Sequence, residues 1–192
     1  MAANILESIR RQTTSATIGA AARILGEPVP QVGAAIEATE PLLLHTLLTA
    51  AQDAGGGRAL VDAIADADPQ LAANMRVALG SSGRHAMLRS GVRKLSSLIG
   101  EEQFGALADG VATYSDLPAD SARSLLGLMT PFLLSLLARE AGTRGMDARG
   151  MVRMIKAQGE QIAEAVPEGL VGLPPNASEA IDLSPGATSE LE

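Results

Sequence analysis

Cysteine and tryptophan are absent from the 192 residues, and one tyrosine and two phenylalanines supply all the aromatic carbon. Without thiols there is no disulfide framework, no thiolate metal site and no cysteine nucleophile. With so few rings, stacking of unpaired bases has little to work with. The core must then be filled by Leu, Ile, Val, Ala and Met, a mixture that favours helices over sheets. Histidine is scarce too: His45 and His85 stand apart, with no HExxH or comparable spacing, so neither a metal nor another cofactor is expected. The N-terminus, MAANILESIRRQ, is charged and lacks an apolar leader, which gives a cytoplasmic expectation. A net charge of −7 repels phosphate backbones, so nucleic acid is not the expected partner.

What the chain does have is apolar helix, centred on Pro118 to Glu140, PADSARSLLGLMTPFLLSLLARE. Leu125, Leu126, Leu128, Met129, Phe132, Leu133, Leu134, Leu136 and Leu137 leave no wet face, which suits a helix enclosed by others. Pro131 lacks an N–H and crowds the Gly127 carbonyl, so the helix is expected to kink there or to restart with Thr130 as N-cap. The apolar run from Leu125 to Ala138 falls short of the ~20 residues a bilayer span needs; the expectation is core, with no membrane span.

The rest reads as helices between breaks. Asn4–Gln12 is a short amphipathic piece, and Ser15–Leu25 is a helix closed by Gly26. Pro28 opens a second long helix with its own internal proline, Pro41, ended by Gly55, Gly56 and Gly57. Leu60, Val61 and Ile64 mark a third helix, and Asp68 with Pro69 start a fourth. From Arg84 to Ile99, residues Leu88, Gly91, Val92, Leu95 and Ile99 share one face and Arg89, Arg93 and Lys94 another. Glu101 to about Tyr114 precedes the central helix, and a last long helix runs from Asp147 to Pro167. Residues 1–172 make one domain, and the unpatterned tail from 173 to 192 is expected to be disordered.

Shifting the chain on itself by 90 residues pairs Pro28 with Pro118, Pro41 with Pro131 and Leu47 with Leu137. A shift of one more residue pairs Val61 with Val152, and the expectation is a pseudo-repeat, about 13–66 and 103–157. The fold class is therefore all-α, a multi-helical bundle of two similar halves with proline-kinked central helices. The stretches around Leu117, Leu125, Leu126 and Pro131, and then Gln158, Pro167 and Gly169, resemble the YidB-like bacterial family, known as domain of unknown function 937. That resemblance implies an all-helical fold and no known activity. The chain departs from the family pattern with Ser115 and Asp116 where Ser-Gly is frequent.

No catalytic constellation stands out. Gly55–Gly57 with Arg58 lack the Lys-Ser or Lys-Thr of a phosphate loop and read as a connector, and carboxylate pairs such as Glu101 and Glu102 sit at helix starts, where the dipole accounts for them. Ala22, Gly26 and Val32 match a helix-turn-helix formally. However, the second helix would offer Gln31, Glu37, Thr39 and Glu40 and no cation to phosphate, so a nucleic-acid binder of that kind is a distant alternative. The reading is a non-enzymatic protein-interaction or self-association module, its partner another copy or another protein. The alternative is a carrier of a small apolar ligand between the central helices. Two candidate surfaces follow: Thr39, Pro41, His45, Thr130, Pro131 and Ser135 around the prolines, and Arg84, His85, Arg89, Arg93 and Lys94 as a face for an anionic partner.

Overall fold

The computed structural model describes residues 4–52, 54–80 and 82–170. Among them the regular elements are all helical: α1 Ile5–Gln12, α2 Ser15–Leu25, α3 Val29–Ala50, α4 Ala54–Ala65, α5 Met75–Gly80, α6 Arg84–Ile99, α7 Glu101–Ser115, α8 Ala119–Thr143, α9 Ala148–Lys156, α10 Gly159–Glu164 and a 3-10 turn at Glu168–Leu170. Side chains set several starts, as Asn4 accepts from the Leu6 N–H, Thr14 from Thr17, and Asp147 from Gly150 at 2.7 Å. Gly26, with φ of 73°, closes α2, and its N–H and that of Glu27 both reach the Ala22 carbonyl.

Asp116 closes α7 in the same left-handed conformation, φ 55°, and the N–H groups of Asp116 and Leu117 both reach the Ala112 carbonyl. It is the non-glycine residue with positive φ among those described. Pro28 and Pro118 then stand as extended N-caps of α3 and α8, with ψ of 137° and 143°. The two turns face each other. Gln31 Nε2 donates to Asp116 Oδ2 at 3.3 Å, and Ser121 Oγ donates to Glu27 Oε1 at 2.6 Å.

Helix α8 is the centre of the molecule, packed by α6, α7, α3, α9, α4 and α2. Leu125, Leu126, Leu133, Leu134, Leu136 and Leu137 are all buried, as an apolar circumference requires. At 25 residues, α8 has the length and mean hydropathy to cross a bilayer, longer than its apolar run implied, but 72% of its apolar stretch is covered by neighbouring helices. Helix α3 is the second axis, packed on α2, α7, α8 and α10 and buried over most of Val32 to Leu48, with Ala34, Glu37 and His45 left exposed.

Several expectations are corrected. Both α3 and α8 run unbroken through Pro41 and Pro131, so neither restarts at its proline. Gly55, Gly56 and Gly57 do not form a connector but the first turn of α4, where a Cβ on Gly57 would come within 3.3 Å of the Ala51 carbonyl. Asp68 accepts from the Gln70 N–H in a turn, and helix resumes only at Met75. The last helix is divided at Ala157 and Gln158, where the Gln158 side chain accepts from the Ile5 N–H at 2.9 Å and ties the first helix to the last. The tail expected to be disordered lies outside the described residues.

Candidate functional site

The surface expected around the prolines is not a surface. Thr39 and Ser135 are 0% exposed and Thr130 is 1% exposed, Pro41 is buried with them and Pro131 is half-buried, because neighbouring helices cover these faces of α3 and α8. Ser135 is spent on structure, accepting from the Ala72 N–H at 2.8 Å, and Thr130 donates to the Leu126 carbonyl at 2.7 Å. Thr39 Oγ1 has no hydrogen-bond partner at all. Of the six residues only His45 is exposed. It lines a cavity of about 330 Å³ with Leu48, Thr49, Gln52, Lys156 and Gly159, where Lys156 Nζ is already engaged by the Ala51 carbonyl at 2.7 Å.

The carbonyl that Pro131 frees, that of Gly127, meets a backbone rather than a side chain. A methyl group built on Gly91 of α6 would fall on the Gly127 carbonyl oxygen, 2.8 Å from its carbon and 2.9 Å from Pro131 Cδ. One on Gly127 would lie 2.6 Å from the Leu88 carbonyl oxygen. The hydrogen that Gly91 carries in place of a side chain therefore points at the orphaned oxygen, a Cα–H···O contact that only glycine permits. Helices α6 and α8 touch backbone to backbone at this point.

That approach brings the basic face of α6 alongside α8. Leu88, Arg89, Val92, Arg93 and Ser124 line a groove of about 290 Å³ whose floor is apolar and whose flanks carry two exposed guanidinium groups. Arg84, His85 and Lys94 share the helix but not the groove. Neither Arg89 nor Arg93 has a carboxylate within ion-pair distance; Arg144 with Glu140 is the pair found among the described residues.

A second cavity, of about 210 Å³, opens where α1 and α2 cross α3, lined by Arg10, Thr13, Ile18, Glu37 and Glu40. Glu40 is 1% exposed. The Thr13 hydroxyl donates to its Oε1, and burial pushes its carboxyl up from 4.5 to about 7, against smaller lowering effects of Thr13 and Arg10. In the sequence Glu40 stands out only as a residue unfit to meet phosphate. Its burial depends on α1 folding back over α3, 27 residues away by the Thr13 contact, and no local pattern announces that.

No curated protein and no solved structure matches the chain. The family described as "Bacterial protein of unknown function (DUF937)" matches residues 7–140, more than two thirds of the sequence. The chain belongs to that family. The DUF937 region begins inside α1 and ends near the end of α8, so it contains the Gly91–Gly127 contact, the Arg89–Arg93 groove and the Glu40 cavity. Helices α9 and α10 follow it. Of the residues that the helix-turn-helix match places on its second helix, Thr39 and Glu40 are buried along with Val32 and Ile36, Gln31 is half-buried and Glu37 is exposed.

Proposed function

We propose that this DUF937 protein is a non-enzymatic self-association module whose working surface is the α6–α8 groove. The observation that carries this reading is an apolar floor, Leu88 and Val92, set between two unpaired arginines on the exposed side of α6. Such a groove suits a short segment with two apolar side chains and two carboxylates. Residues 179–183 of the same sequence, Glu-Ala-Ile-Asp-Leu, are such a segment, and residues 171–192 contain four acidic side chains and no basic one. The occupant is therefore the acidic tail of a second copy. A carrier of apolar ligands has less support, since Gly91 and Val92 fill the space beside Gly127 and Pro131.

Sedimentation velocity over a concentration series tests the reading. The full chain is expected to dimerise, the Arg89→Glu/Arg93→Glu variant to stay monomeric, and a mixture of that variant with Glu179→Arg/Asp182→Arg to dimerise again. A chain that is monomeric throughout, or dimers indifferent to the charge reversal, would overturn it.

We also infer that the fold arose by internal duplication. The left-handed residues 26 and 116, the proline caps 28 and 118 and the helix starts 29 and 119 all fall at one offset of 90. Position 31 and its counterpart 121 each reach across to the other turn, and α4 packs on α9 and α3 on α8, as a pseudo-two-fold arrangement requires.

A further inference from the structure

We propose that the cavity between α1, α2 and α3 binds a small organic monocation, an ammonium or guanidinium group on a short apolar chain, with Glu40 as its counter-ion. A carboxylate excluded from water normally sits against a cation or against several donors. Glu40 has one donor, the Thr13 hydroxyl, and no Lys, Arg or His nitrogen within ion-pair distance. Glu40 lines the cavity together with Thr13, so a ligand seated there lies beside the incompletely bonded carboxyl. Glu37 lies three residues earlier on the same side of α3, exposed at the rim, and brings a second carboxylate to the same opening.

The rest of the lining sets the ligand's shape. Ile18 gives the wall an apolar surface, while α2 contributes no ionisable side chain to it. A volume of about 210 Å³ holds a handful of heavy atoms, since one water occupies about 30 Å³ of liquid. Arg10 stands exposed at the rim and opposes a second positive charge, so a monocation is preferred over a polyamine, and a far-end carboxylate improves the fit. The same position in the other half is Thr130, which is buried and whose hydroxyl is satisfied within its own helix. Only the Glu40 side combines a charge with open space. Binding a cation holds Glu40 ionised, so the site releases a proton and tightens as pH rises from 6 to 8; Arg10 from α1 and Glu37 from α3 are the charged groups facing it.

The test titrates n-butylammonium, 4-aminobutyrate and spermidine into the full chain, followed by amide NMR shifts and by melting temperature. Saturable shifts are expected at Thr13, Ile18 and Glu40, with 4-aminobutyrate tighter than n-butylammonium and spermidine no tighter than its charge screening explains. Glu40→Gln should weaken n-butylammonium at least tenfold while remaining folded, and Arg10→Ala should strengthen n-butylammonium several-fold but weaken 4-aminobutyrate. No saturable shift at these residues, equal binding by Glu40→Gln, or shifts that follow ionic strength alone would overturn the proposal.

Discussion

Glu40 sets a pH dependence that belongs to one residue. Its carboxyl titrates near 7 in the folded chain and near 4.5 when free, so between those values the native state holds a proton that the unfolded chain has lost. Stability from this group is complete below about 4.5, declines as pH rises to 7 and is then flat, the ionised form costing roughly 3 kcal/mol. Urea denaturation of Glu40→Gln should therefore show little loss between pH 5 and 8 and a gain over the parent of up to about 3 kcal/mol at pH 8. A parent curve that rises over that range would contradict the assignment. Thr39 offers a second case. Its hydroxyl is buried without a partner, so Thr39→Val removes an unsatisfied group and should raise stability by about 1 kcal/mol in the same assay.

Helices α6 and α8 meet through two glycines, and the approach leaves no room for a methyl group on either. Gly91→Ala must push α6 away or deform α8, at a cost of about 3 kcal/mol, which lowers the melting temperature of a chain this size by roughly 6–12 °C. Calorimetry on Gly91→Ala beside the half-buried control Gly105→Ala checks this, because a Cβ on Gly105 meets nothing within 4 Å. Elements such as α2, α3, α6 and α8 are legible in the sequence because periodicity, proline caps and terminal glycines agree on them. Even Gly91 lies on the predicted buried face of α6. The break between α9 and α10 is not legible, since the Gln158 side chain serves Ile5 at the other end of the chain. Nor is the fate of Thr39, Thr130 and Ser135. A polar residue beside a helical proline reads as a surface spot until neighbouring helices are known to cover it on all sides.

For the molecule as a whole, the described helices already close one continuous core, with Leu170 of the final turn buried in it. Removing residues 171–192 should leave the melting temperature within a few degrees of the full chain while abolishing the dimer proposed for the α6–α8 groove. Loss of several degrees would place the tail in the core instead. The Gly91–Gly127 contact also restricts how this molecule can move. Sliding α6 along α8 by a turn, about 5.4 Å, would bring residues bearing Cβ atoms to a separation that only a pair of glycines tolerates. Shear between the two helices is therefore closed to the protein, and any rearrangement of the groove has to proceed by α6 lifting away from α8 as a unit.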